Sequence, residues 1–457
     1  MFGNALKGFS GNIYLFLVEE SECIKGLLVK KHDENLQTHG DFSFPNSAKS
    51  WHEFLNRAET SNKSEDLLEV IGKRTEDIVE ESKKWVLSVT KVKKEKGRVY
   101  LFLERPRAIR VGLLEAYSNN TLIIQRICER TSVVDLDPLI QEKCDLTSLR
   151  AKYLYNAVKN LCSIFKVDDP LFVTSKSSSK SADKKFLLSG TVLNAKSGAK
   201  ETDIDADDFI RIRQDEMTLI AQHKYGVRVS TDSKWKEFIA HLGESAVVFE
   251  LLQTKPSGPV KINFDCSSVG SSKGASFVLY NCARLETIIR TYNEGVNEGT
   301  YPPLPDLENT DFTLLTQEDE WCLVFNFILG LPSLLTNCVE INGRTCEFRP
   351  HHLCGFLSSM VRVFSQYYRR VRILTEPRKH LLPVMFARIH MLQALNETLK
   401  TCLKILNIKS VSQIVLCCRG GARIRVEFTG VRGVALQRPT AEDEEIAGQQ
   451  VSARPVL

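Results

Sequence analysis

The chain is 457 residues long, enough for two to four domains with cores of their own. Its 43% apolar and 26% charged residues are those of an ordinary soluble globular protein, and no run of 18 apolar residues marks a membrane span. Thirteen cysteines, an odd number without framework spacing, exclude a disulfide-stapled scaffold and suit free thiols in a reducing compartment. The first ten residues lack a long apolar core of the signal-peptide kind, so the expectation is a cytoplasmic protein.

In chain order, residues 13–18 (Ile-Tyr-Leu-Phe-Leu-Val) and 98–104 (Arg-Val-Tyr-Leu-Phe-Leu-Glu) are short β-type runs bounded by Gly11 and Gly97. Between them, residues 64–85 read as one amphipathic helix, with Leu67, Leu68, Ile71, Ile78 and Val79 at helical spacing. Residues 174–186 open Thr-Ser-Lys-Ser-Ser-Ser-Lys-Ser-Ala-Asp-Lys-Lys, which cannot bury apolar area and reads as a flexible linker; a phosphate-gripping tether is the functional alternative. From Leu188 the pattern turns regular: residues 190–198 suit a hairpin, and a helix follows from Asp207 to about Gln222. Tyr301-Pro-Pro-Leu-Pro-Asp306 is an extended connector, because each residue before a proline disfavours helix. After Gln413 the composition breaks. Residues 414–457 hold no lysine, six arginines and five glycines, and suggest a divergent tail from an alternative exon, mostly disordered apart from the strand-like Ile414-Val-Leu-Cys-Cys418.

Residues 321–413 carry twelve lysines and arginines against four glutamates, a local excess of eight while the whole chain stands at +5. Such an excess is the electrostatic footprint of a phosphate-binding surface, or else a solvated charged face. A helix opens at Pro350, where proline loses no hydrogen bond, and Leu353, Phe356, Leu357, Met360, Phe364, Tyr367, Val371 and Leu374 advance in threes and fours. Arg362, Arg369 and Arg372, at +7 and +10, fall on one side of that helix, where guanidiniums can fork onto phosphates or stack on unpaired bases. Tyr367 and Tyr368 are adjacent, so one at most is fully core and the other is available to stack. A last helix over 381–406 packs Met385, Ile389, Leu392, Leu395, Leu399, Cys402 and Leu406, with Asn407 as its stop and Lys379 and Arg388 near its start. Arg370 and Arg378 complete the basic set. An earlier helix has Val278, Cys282, Leu285 and Ile289 as a core stripe, and its Arg284 is either a bundle-root residue or an RNA contact.

Trp321-Cys-Leu-Val-Phe-Asn-Phe-Ile-Leu-Gly-Leu-Pro332, Arg349-Pro-His-His-Leu353, Phe364-Ser-Gln-Tyr-Tyr-Arg-Arg-Val-Arg-Ile-Leu374 and the final helix resemble the DALR anticodon-binding helical domain that ends arginyl-tRNA synthetases. Residues 272–285 are similar to a helix of the same family, keeping Gly274, Tyr280 and Arg284, with Ala275, Ser276 and Phe277 in place of a polar pair and a tyrosine. Arg74-Thr-Glu-Asp-Ile-Val-Glu80 with the Gly97-led strand loosely resembles the family's N-terminal additional domain. The resemblance implies an α+β protein: a mixed N-terminal region followed by an all-α DALR-type bundle. It implies an additional-domain-like region at 1–110, a degenerate synthetase-like region at 111–173, the linker at 174–186, a connective region at 187–260, the DALR domain at 261–413 and the tail at 414–457.

The chemistry of a synthetase is missing. Class I enzymes need a His-x-Gly-His turn and a Lys-Met-Ser-Lys-like loop to handle phosphates. None of the nine histidines makes that turn, and Ser175-Lys-Ser-Ser-Ser-Lys180 is linker composition. The roughly 85 residues between Glu104 and Leu188 are too few for a nucleotide-binding catalytic domain. Cys346, His351, His352 and Cys354 lack zinc spacing, and Asp203–Asp208 departs from a calcium loop, so no metal and no cofactor is expected. The pattern therefore resembles noncatalytic relatives of the synthetases. That resemblance implies a tRNA-binding adaptor, with no catalytic residue, which selects arginine tRNAs and brings a tRNA 3-methylcytidine methyltransferase. Its tRNA contacts would be Arg284, Arg362, Tyr368, Arg369, Arg370, Arg372, Arg378, Lys379 and Arg388. A divergent arginyl-tRNA synthetase, or a protein scaffold that has lost RNA, are the alternatives.

Overall fold

The structure, a computed structural model, describes residues 2–19, 28–55, 65–129, 134–175, 185–225, 233–264, 273–342, 345–415 and 425–428. Helix α1 (Ala5–Val18) opens the chain, with the Asn4 side chain accepting from the Lys7 N–H as its cap. Its second half is the stretch expected as a strand. Leu6, Phe9, Ile13 and Leu17 recur at three- and four-residue intervals and are all buried, so the helical stripe prevails over the β preference of the residues between them.

Strands β1 (Lys30–Lys31) and β2 (Phe42–Pro45) flank the short α2 (Leu36–His39). Two helices, α3 (Leu67–Val70) and α4 (Thr75–Ser82), stand where a single helix over 64–85 was expected. Gly72 separates them at φ +65, a left-handed turn that no helix propagates through. Strands β3 (Val89–Glu95) and β4 (Arg98–Leu103) complete an antiparallel sheet of order β1-β2-β4-β3.

Helix α5 (Arg105–Glu129) crosses the boundary expected at 110 and buries Ile109, Leu113, Ala116, Ile123 and Ile127. A parallel sheet of order β5-β6-β7 follows, from β5 (Val134–Leu136), β6 (Leu171–Thr174) and β7 (Lys185–Leu188), with α6 (Pro138–Gln141) and α7 (Leu146–Phe165) between the first two strands. The expected linker at 174–186 thus begins and ends in strand; its residues 176–184 lie outside the described residues. Strand β8 (Val192–Asn194) pairs in parallel with the distant β9 (Val260–Ile262), across α8 (Ala206–Tyr225) and α9 (Ser233–Leu252). The hairpin expected at 190–198 is reduced to one antiparallel bridge, Leu193 to Lys200, because β9 takes the strand's edge. Buried Arg150 ties this region together, donating to the carbonyls of Leu251, Gly190, Gly258 and Lys255 and to the Thr254 hydroxyl. Burial lowers its guanidinium to about 10.

The C-terminal bundle comprises α10 (Lys273–Asn297), α11 (Glu318–Cys322), a π-helical turn (Leu323–Ile328), α12 (Leu331–Cys338), α13 (Pro350–Arg370) and α14 (Leu382–Ile405). A two-stranded hairpin, β10 (Val339–Asn342) and β11 (Thr345–Phe348), interrupts the otherwise helical segment. The hairpin of β12 (Val411–Val415) and β13 (Arg425–Phe428) straddles the tail boundary expected at 413, and the 260/261 boundary falls within β9. Composition does not register strands whose partners are remote in sequence. The rest of the expected disordered tail, 416–424 and 429–457, lies outside the described residues.

One apolar core runs from Ala5 to Val411 and joins the N-terminal sheet to the bundle. At their junction the Trp321 indole N–H donates to Asp41 Oδ1 at 2.8 Å, Phe42 meets Phe325 edge-on at 5.8 Å, and Arg105 pairs with Glu318. Glu318–Cys338 is long and apolar enough to cross a bilayer, but most of it is buried in this core. A second, smaller cluster gathers Leu146, Val192, Phe209, Leu251 and Ile262.

Candidate nucleic-acid interface

Helix α13 forms as its sequence dictates. Pro350 is its first residue, and Leu353, Leu357, Met360, Phe364 and Tyr367 line one buried stripe. The opposite face carries Arg362 and Arg369, both exposed and both without an ion pair among the described residues. The helix ends at Arg370, where Val371 turns extended at φ −119 and ψ 124. Arg372 therefore leaves the helical register, and the spacing that placed it in line with Arg362 and Arg369 does not apply. It is exposed, with its Nε donating to the Leu374 carbonyl at 3.3 Å. Arg369 and Arg370 sit in the last turn, where the helix dipole favours cations.

The segment linking α13 to α14 exposes Arg378 and Lys379. Lys379 has no ion pair among the described residues, and Arg378 pairs with its neighbour Glu376 at 2.7 Å. An exposed pair of this kind contributes little and gives way to a stronger anion. Arg370 pairs with Asp319 at 2.6 Å and its side chain stays 62% exposed, so it too remains within reach of a phosphate.

Three expected contacts are committed to holding the bundle. Arg388 Nε donates to Glu320 Oε1 at 2.9 Å, and the side chains are 13% and 0% exposed. The Tyr367 hydroxyl donates to the same oxygen at 2.9 Å, and burial pushes that phenol far above its usual range. Arg284 lies between two rings, 4.7 Å from Tyr280 and 4.4 Å from Tyr368, and so ties α10 to α13. Tyr368 is half-buried with one face given to Arg284, and Tyr367 is fully core.

Sequence reasoning missed the counterpart of this basic set. The first turn of α11, Glu318-Asp319-Glu320, engages Arg105, Arg370 and Arg388 from three different helices. The signal was three acids in a row at a helix start, which local rules explain by the dipole alone. What remains outward is a run of cations, Arg362, Arg369, Arg372 and Lys379, with Arg370 and Arg378 in exposed pairs beside them. Such a row can contact successive phosphates of a nucleic-acid backbone.

Residues 278–414 match the family model described as the DALR anticodon binding domain. The chain is 36% identical over 234 residues to DALR anticodon-binding domain-containing protein 3 of Rattus norvegicus, covering 50% of this chain and 43% of that protein. It is 24% identical over 192 residues to the arginine–tRNA ligase of Malacoplasma penetrans, covering 41% of this chain and 30% of the ligase. Among solved structures, the arginyl-tRNA synthetase of Thermus thermophilus aligns with a TM-score of 0.38 at 16% identity, over 62% of this chain and 40% of that one. The match thus spans less than half of the rat protein's length.

Proposed function

Starting from a chain that carries a DALR anticodon-binding domain and is related to arginyl-tRNA synthetases, we propose that it is a noncatalytic tRNA-binding adaptor. The observation that carries this reading is the exposed cationic row of α13 and the segment after it, lying within the residues that match the domain. Phosphate contacts from that row give affinity and set register, and the domain's name points to the anticodon arm as the target. In this reading the adaptor selects arginine tRNAs and delivers them to a tRNA 3-methylcytidine methyltransferase, in the cytoplasm.

Two observations favour adaptor over enzyme. The sequence lacks the paired histidine turn with which a class I synthetase stabilises charge at the α-phosphate. The described parallel sheets have only three and two strands. Purified protein should give no arginine-dependent exchange between ATP and pyrophosphate, and measurable exchange would restore the synthetase reading. Direct titration with arginine tRNA and with an unrelated tRNA of equal length tests the adaptor. Equal, weak binding of both would leave a scaffold that has lost its RNA.

A further inference from the structure

Three ion pairs converge on the first turn of α11, and burial separates one of them from the other two. Glu320 is fully buried. One of its oxygens accepts from the Arg388 guanidinium and the Tyr367 hydroxyl, and the other from the Gln317 backbone N–H at 3.0 Å. Glu318 is held by both terminal nitrogens of Arg105. Trp321, the next residue along, is tied to Asp41. The backbone that carries Asp319 is therefore anchored on both sides.

Asp319 itself makes one ion pair among the described residues, with Oδ2 lying 2.6 Å from the Arg370 guanidinium. The partners are unequal: the Asp319 side chain is 24% exposed and that of Arg370 is 62% exposed. The carboxylate is short and stands on a fixed turn. The guanidinium ends a long side chain in the last turn of α13, and its one further bond among the described residues runs from Nε to the Gln366 carbonyl of its own helix, at 3.4 Å. Arg370 can swing outward, and Asp319 cannot follow it. Opening this pair leaves Asp319 in a first helical turn, where the dipole stabilises a carboxylate, whereas losing Arg388 would strand Glu320 away from water. Of the three pairs, the one that can exchange its partner therefore belongs to Arg370, the neighbour of unpaired Arg369 in the cationic row. A carboxylate and a phosphate offer a guanidinium the same kind of acceptor oxygens.

We propose that Asp319 gates Arg370, holding its guanidinium as an intramolecular substitute for phosphate that RNA must displace. The proposal rests on the tRNA-binding reading, whose site it regulates. A tethered, preorganised competitor opposes a polyanion that touches Arg370 alone, and yields to one that engages the rest of the row at the same time.

The test titrates an arginine tRNA transcript into the full chain and its variants. Asp319→Asn keeps the side chain's shape and removes its charge, and should tighten tRNA binding by about two- to fivefold, the strength of an exposed ion pair. Asp319→Ser should give the same gain. The gain should vanish in an Arg370→Gln background and persist in an Arg369→Gln background, because Asp319 makes no pair with Arg369. Unchanged circular dichroism and melting establish that each variant keeps the fold. An equal gain in both backgrounds would mean that Asp319 acts only through net charge, and would overturn the gate. Unchanged or weaker binding by Asp319→Asn would overturn it too, and leave the tRNA-binding reading standing. Absence of tRNA binding by the parent and by Asp319→Asn alike would remove that reading, and the gate with it.

Discussion

Arg362 and Arg388 belong to the same basic segment, yet their surroundings assign them different work. Arg362 is exposed and unpaired, so reversing it together with Arg369 should weaken tRNA binding without lowering stability. The salt dependence should flatten by about 0.7 to 0.9 in log–log slope for each phosphate that the variant no longer neutralises. Unchanged affinity in a folded double variant would reduce the row to a solvated face. Arg388→Ala should act through stability, because it strands the buried Glu320 carboxylate. Losing one partner of such a pair costs about 3–5 kcal/mol, readable as a shifted midpoint in urea. Asp41 is the third informative side chain. Burial raises its carboxyl to about 6 from 3.8, against the bonds it accepts from Leu103 and Trp321. The folded value lies above the unfolded one, so its contribution is complete below about 3.8 and is lost as pH rises through about 6. A shift of that size corresponds to about 3 kcal/mol at neutral pH. Asp41→Asn should therefore lessen the fall in melting temperature between about pH 5 and pH 7.5; an identical fall in both proteins would show that Asp41 does not titrate there.

Elements bring constraints that single residues do not. The π-helical turn at Leu323–Ile328 widens the ladder, directs Phe325 toward Phe42, and leaves Gly330 under the Asn326 carbonyl. A Cβ at Gly330 would lie 2.0 Å from that oxygen. Gly330→Ala should therefore destabilise by roughly 1–3 kcal/mol in chemical denaturation. A neutral result would mean that the turn reverts to α-helix without penalty. At the other end of the bundle, Val411 is fully buried and β12 pairs with β13. A protein ending at Gln413 cuts that strand and should melt lower than one ending at Phe428. Equal melting of both truncations would show that the hairpin adds nothing to the fold.

For the molecule as a whole, the continuity of the core from Ala5 to Val411 decides what can be separated. A fragment over residues 261–428 would uncover Trp321 and Phe325, which the N-terminal sheet otherwise covers. It should bind a hydrophobic dye and melt below the intact chain; a fragment as stable as the parent would make the N-terminal region an accessory rather than part of the fold. The same continuity explains why the boundaries expected from the resemblance and from the composition break fall inside α5, β9 and β12 rather than between bodies.

The sequence by itself determined α13 and α14. Helical periodicity is local: the α14 stripe is buried along its length, with Asn407 in the left-handed conformation that stops that helix, and the α13 stripe is buried from Leu353 to Tyr367 except at half-buried Phe356, while Val371 and Leu374, expected to extend it, are half-buried beyond the helix end. It also carried the family likeness and the missing synthetase turn, since motifs are contiguous. Only the tertiary structure decided which cations are free. Glu320 is 68 residues from Arg388, and Asp319 is 51 residues from Arg370 (370 − 319); no local pattern reports a pairing at that range. The parallel partnership of β8 with β9 and the helical fate of residues 13–18 were settled in the same way. A short apolar run fits strand or helix equally well until the rest of the chain supplies the surface that buries it.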